Sequence, residues 1–222
     1  MFIQKFIGKI LDKIYKPLIV NYTKKERRYR YGSLDLLIRA GVFHPGFFNS
    51  TQNILSFLRR MELRGKSLLD LGTGSGILAL YAASKGAIVT ASDISQQAVD
   101  NSVYNSKKNR LGINIIQSDL FDHIKRQEYD IIVINPPYYP KNPEIESDYA
   151  WYCGDGFEYY HKLFTQIPPY VNPNTLALMS LADTFDTNKM RDIARMKGYG
   201  LELMEQKNYL WEKQLIFRII EK

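Results

Sequence analysis

Cysteine is nearly absent: Cys153 stands alone in 222 residues. One thiol excludes an internal disulfide, which suits a reducing cytoplasm. Histidine is almost as scarce. His44, His123 and His161 sit at none of the short spacings that hold a metal, so no metal centre is expected. No apolar run reaches membrane-spanning length. The N-terminus lacks the apolar core and small-residue cleavage site of a secretion signal. There is no internal repeat and no low-complexity tract. These absences lead to the expectation of a cytoplasmic protein without a membrane span.

Hydrophobic residues make up 45% of the chain, which suits one α/β domain with a full core. Acidic residues are scarce only at the start. Residues 1–30 hold nine Lys or Arg against Asp12 and Glu26, a local net charge of +7. The remainder balances 21 basic with 21 acidic residues. The basicity is therefore an N-terminal attachment. Phe2, Ile3, Phe6, Ile7, Ile10, Leu11, Ile14 and Tyr15 recur at helical spacing, with Lys5, Lys9, Lys13 and Lys16 opposite. A basic amphipathic helix over 2–16 is expected, ended by Pro17. Its apolar face would pack on the domain, or the segment would contact an anionic membrane, a nucleic acid or a partner helix. Lys24 to Tyr31 mixes cations with aromatics, as a phosphate- and base-binding tract does, or as a solvated linker can. The boundary is drawn at 1–32 for helix and linker and 33–222 for the domain.

Residues 68–76 read Leu-Leu-Asp-Leu-Gly-Thr-Gly-Ser-Gly, and an apolar, alanine-rich segment follows. This is a buried strand, a glycine turn and a helix start. A dinucleotide fingerprint would need glycine at 77, where Ile77 stands. A nicotinamide oxidoreductase is the weakest reading for that reason. A second buried strand, Ile131 to Ile134, runs into Asn135-Pro136-Pro137-Tyr138, which begins 65 positions after Asp70.

Asp-x-Gly-x-Gly-x-Gly resembles the first motif of class I methyltransferases, which bind S-adenosylmethionine (SAM). The NPPY tetrapeptide resembles the fourth motif of amino-methyltransferases. With residues 150–164 it is similar to the small-domain methyltransferases of the HemK type, which methylate glutamine in release factors. The resemblance runs over about residues 40–220, and Gly154 and Gly156 stand in its post-NPPY stretch. It implies a Rossmann-like, mostly parallel sheet with an antiparallel last strand. The order of elements agrees. Strands are expected at 67–71, 87–92, 113–118, 129–134, 175–181, 199–207 and 213–220. Helices are expected at 76–85, 95–107, 157–168 and 186–197, with a turn or short helix at 120–125. Upstream, residues 34–38 are a candidate strand or hairpin. Residues 43–51 are a candidate lid in which His44 is a loop hydrogen-bonder, and Ser50 or Thr51 caps the next helix.

Ligands in such sheets lie beyond the carboxyl ends of the strands. The resemblance then gives Gly72, Gly74 and Gly76 a place under the methionine part and ribose of SAM. Asp70 receives the ammonium, Asp93 the ribose hydroxyls and Asp119 the adenine amino group. Ile94 flanks the adenine, with Leu120 beside it. Asn135 and the Pro136 carbonyl would orient the acceptor nitrogen against SAM, and Tyr138 would offer a flat face. The expected acceptor is a planar nitrogen. A protein glutamine amide, in a release factor or ribosomal protein, comes first. The alternative is an exocyclic amine of rRNA, tRNA or DNA. A non-catalytic SAM-binding recruitment protein is a reading of another class, against which Asn135 speaks.

Overall fold

The computed structural model describes residues 22, 24–210 and 212–222. The helix expected over 2–16 lies outside them. Seven strands form one sheet in the order β5-β4-β3-β6-β7-β9-β8. Its members are β3 (Ser67–Leu71), β4 (Ile88–Asp93), β5 (Asn114–Gln117), β6 (Ile131–Ile134), β7 (Leu176–Ala182), β8 (Tyr199–Asn208) and β9 (Lys213–Glu221). The pairs β3–β4, β4–β5, β3–β6 and β6–β7 are parallel. The β7–β9 and β8–β9 pairs are antiparallel. The chain builds outward from β3 on one side, then returns to place β6 on the other. That reversal puts a crevice at the carboxyl ends of β3 and β6.

The central strands are apolar on both faces because helices cover both. One face packs α4 (Glu158–Gln166) and α5 (Thr187–Met196), with Tyr160, Leu163 and Phe164 buried against Ile132, Met179 and Phe217. The other face packs α1 (Asn49–Leu58) and α2 (Ile77–Ser84), with Ile54, Leu55 and Leu80 against Leu68 and Val133. No described helix is long and apolar enough to cross a membrane.

A separate hairpin pairs β1 (Arg27–Tyr31) with β2 (Leu34–Ile38). The expectation of a linker before residue 33 is therefore corrected over 27–31. Arg and Tyr alternate there, so one face of the strand is apolar enough to pack. The turn at Gly32 and Ser33 is where the sequence suggested a boundary, and strand pairing continues across it.

The segment 120–125 is a turn, one of the two forms expected there, and Leu120 takes a left-handed φ of 52°. Two further differences are local. The helix expected to 168 ends at Gln166, and a 3₁₀ turn covers Pro168–Tyr170, because proline has no N–H to continue the ladder. Helix α1 starts after extended Phe48, with no side-chain cap from Ser50 or Thr51. Those two residues lie inside its first turn, with their hydroxyls turned to other uses.

Candidate active site

The glycine turn leaves β3 with Asp70 beneath it. Asp70 is 1% exposed. Its Oδ2 accepts from the Thr73 hydroxyl at 2.7 Å and from the Ala79 N–H at 3.1 Å. Its Oδ1 is buried without a hydrogen-bond partner. Burial pushes the carboxyl up to about 6, against the pull of those two donors. Asp70 thus ties the turn to α2 and keeps one oxygen for a further donor.

Two of the three glycines are glycine for different reasons. Gly72 has φ 81°, and a Cβ there would meet nothing within 4 Å; only its backbone requires glycine, and open space lies beside it. Gly76 has φ 86°, and a Cβ would come to 3.0 Å from Ser102 Oγ. Its side-chain face is thus taken by α3 (Gln96–Lys108). Between them, Gly74 donates its N–H to Asp93 Oδ2 at 2.8 Å.

Asp93 ends β4. Its Oδ1 accepts from Ser95 N–H at 3.0 Å. Each carboxylate oxygen carries one of these bonds and has further acceptor capacity. Burial raises this carboxyl too, opposed by the backbone N–H groups of Gly74, Ser95 and Ile94. Ile94 follows, its carbonyl accepting from Gln117 Nε2 at 3.2 Å. Asp119 lies beyond the end of β5, with Lys162 of α4 at 2.6 Å from its Oδ2. That leaves Oδ1 as the atom able to meet an amino group. Leu120 beside it is buried. Asp70, Asp93 and Asp119 therefore stand at or just beyond the carboxyl ends of three adjacent strands. The open Gly72 backbone, the orphan Asp70 oxygen and the two-oxygen acceptor of Asp93 fit the methionine and ribose ends of SAM.

Asn135 follows β6. Its Oδ1 accepts from the Tyr138 hydroxyl at 3.2 Å, and its Nδ2 reaches Thr51 Oγ1 at 3.5 Å. The side chain is held at both ends. Tyr138 also faces Ser50 and Ser180, and burial raises its phenol. Pro136 and Pro137 are buried, and Tyr160 donates its hydroxyl to the Pro137 carbonyl at 2.9 Å. The following segment folds back: Tyr138 and Tyr139 both donate N–H to the Trp151 carbonyl, at 3.0 and 2.8 Å. The sequence marked Ser50 and Thr51 only as helix caps and gave Tyr160 no role at this loop. They come from α1 and α4 and meet the loop only through the fold.

Two loops roof the crevice. Phe43 and Phe48 stack at 4.5 Å, and the Trp151 ring lies 5.4 and 5.1 Å from them. Phe43 Cβ would lie 3.9 Å from a Cβ at Gly74, so the 43–48 loop sits over the glycine turn. His44 accepts the Gly46 N–H at 3.1 Å, as a loop hydrogen-bonder should. From the other side, Glu146 Oε1 accepts the Ser95 hydroxyl at 2.7 Å at the start of α3. The segment after NPPY thereby crosses from the end of β6, over β3, to the end of β4.

The profile of the Methyltransferase small domain family matches residues 33–151, more than half of the chain. The chain belongs to this family. Membership makes it a SAM-dependent methyltransferase, with the crevice just described at the centre of the matched region. A Methanocaldococcus jannaschii chain with the provisional name protein N5-glutamine methyltransferase is 26% identical over 167 residues, 72% of this chain and 83% of that one. The release factor glutamine methyltransferase of Streptococcus pneumoniae is 48% identical over 82 residues, 36% of this chain but only 29% of its own length. Among solved structures, a T. thermophilus 16S rRNA N2 methyltransferase in complex with AdoMet and guanosine superposes with TM-score 0.65 at 20% identity, covering 87% of this chain and 50% of that one. At that identity the likeness is one of fold.

Proposed function

We propose that this chain transfers the methyl group of SAM to the exocyclic amine of a nucleobase in RNA. The observation that carries this reading is the half-buried wall of Phe43, Phe48 and Trp151 beside the Asn135 loop. A planar base gains by stacking on such a wall, and base–aromatic contact adds about 1–3 kcal/mol per base. An aliphatic amide side chain has no ring to place there. The guanosine bound by the T. thermophilus relative supports the same acceptor class. The names of the archaeal and streptococcal relatives support a second reading, a protein glutamine amide.

Bound SAM supplies a methyl group made electrophilic by its sulfonium. The chain's own residues do the rest. An exocyclic amine is a poor nucleophile because its lone pair is delocalised. Asn135 Oδ1, fixed by Tyr138 and by the Thr51 contact, keeps a lone pair for one N–H of the amine. The Pro136 carbonyl serves the other N–H. Two acceptors orient the nitrogen and favour its pyramidal form as the bond to carbon develops. The proton can leave afterwards, so no strong base is required. Asp93 takes the ribose hydroxyls, Asp119 Oδ1 the adenine amino group, and Ile94 and Leu120 flank the ring. Asp70 Oδ1 takes the ammonium, directly or through water.

The test is tritiated SAM with fractionated lysate, treated afterwards with RNase or protease. Release of the label by RNase supports the RNA acceptor. Release by protease alone replaces it with the glutamine reading.

A further inference from the structure

The Lys24–Tyr31 tract behaves differently in the fold from a chain of mixed cations and rings. Tyr29 and Tyr31 turn inward. Tyr29 accepts from Gln52 of α1 at 2.9 Å and lies 5.4 Å from the His44 ring, and Tyr31 lies 5.9 Å from Tyr81. Neither is free to stack on a base. Arg28 and Arg30 alternate with them and are exposed, as are Lys24 and Lys25 before the strand. Asp35, opposite Arg30 in the hairpin, is taken at 3.0 Å by Lys108. What faces solvent is Arg28 and Arg30 along the strand, with Lys24, Lys25 and a single acid, Glu26, before it.

The row is held rigidly. Asn101 and Asn105 on α3 and Asn109 at its C-cap recur every fourth residue, one above the other. Their Oδ1 atoms accept the N–H groups of Arg39, Leu37 and Asp35 at 2.9, 2.8 and 2.9 Å. Their Nδ2 atoms return to the Leu37 and Asp35 carbonyls at 2.7 to 3.0 Å. The helix thus pairs with the β2 edge as another strand would. The hairpin also stands close to the chemistry: Gln52, which holds Tyr29, neighbours Thr51, which contacts Asn135. An aromatic rim joins the two places. Exposed Tyr22 lies under Arg27 at 4.2 Å and meets Phe47 at 5.0 Å, just before Phe48.

We propose that the outer face of this hairpin, with Lys24, Lys25, Arg28 and Arg30, holds backbone phosphates of a single-stranded RNA segment next to the acceptor base. A cationic track beside an aromatic rim is the arrangement that single strands bind. Arg28 and Arg30 are two residues apart on a strand, about 6.6–6.8 Å, a stride suited to successive phosphates of an extended strand. This inference rests on the RNA reading of the active site. The bland alternative is that the cations only blunt an exposed strand edge.

The full chain is titrated with a short unstructured RNA over a range of salt, as wild type, as Arg28→Gln with Arg30→Gln (the Gln pair), and as Arg28→Lys with Arg30→Lys (the Lys pair). Bound cations release counterions, so wild-type affinity should fall steeply with salt. The Gln pair should make the slope of log K against log salt shallower by about 0.7 per lost contact, about 1.4 in all. The Lys pair should keep the wild-type slope, and KM for RNA should rise only in the Gln pair. SAM affinity and thermal midpoint are the folding controls. If the Gln pair unfolds, Lys24→Gln with Lys25→Gln, outside the strand, carries the same expectation. A wild type that binds and methylates RNA while the Gln pair keeps its slope overturns the hairpin proposal alone. A wild type with no salt-dependent RNA binding, or one that binds anionic vesicles instead, overturns it together with the RNA reading.

Discussion

At the residue scale the site depends on acceptors kept partly empty. Asp70 is the clearest case. Its carboxyl is raised to about 6 by burial, from about 3.8 in an open chain. In that window the folded state binds the extra proton, so Asp70's contribution is full below about 3.8 and is lost as pH rises through 6. At neutral pH the buried charge costs on the order of 2–3 kcal/mol. Asp70→Asn keeps an acceptor for Thr73 and Ala79. It should raise the thermal midpoint of the cofactor-free protein at pH 7, change it little near pH 4, and weaken SAM binding at both. Equal midpoints at pH 7 would remove the strain assigned to Asp70. Thr51 makes a second test. Thr51→Val keeps the shape and loses the acceptor for Asn135 Nδ2. It should lower kcat about tenfold with SAM affinity intact, and Thr51→Ser should restore most of it. A kcat unmoved by Thr51→Val would free Asn135 from α1.

At the element scale much was legible. The strand at 67–71, the helix after its glycine turn and the helix after Gly154 and Gly156 stand within a residue or two of expectation, because buried runs and glycine breaks are local signals. The antiparallel end of the sheet was implied by the resemblance, and the short connection between β8 and β9 allows no parallel pairing. What could not be read depends on partners far away in sequence. Strand β1 looked like a linker because its packing partners, His44, Gln52 and Tyr81, lie elsewhere. The crossing of residues 139–152 over the crevice was equally hidden, since Glu146 reaches Ser95 across 51 positions. The Ser95 hydroxyl holds that carboxylate below the usual range. On the proposed placement of SAM at Asp93, this latch closes one side of the cofactor's way in and out. Glu146→Gln should therefore speed SAM dissociation several-fold in stopped-flow measurements, with little change in the thermal midpoint. An unchanged dissociation rate would mean that the cofactor leaves by another side.

At the scale of the whole molecule the parts converge on one crevice. The sheet reversal brings the glycine turn beside the Asn135 loop. Helix α1 joins that loop to the hairpin, and the hairpin is fastened to the helix that follows Asp93. The motifs named the reaction class; on the proposed reading the acceptor depends on surfaces that no motif records, the aromatic wall and the cationic strand. The direct measurement is mass spectrometry of the methylated material, digested to nucleosides and to amino acids, after reaction with wild type and with Asn135→Ala. The account predicts a nucleoside methylated on its exocyclic nitrogen, formed by wild type and reduced roughly 10²–10³-fold in rate by Asn135→Ala at nearly unchanged SAM affinity. Methylglutamine in the amino-acid digest, or full activity without Asn135, would contradict it.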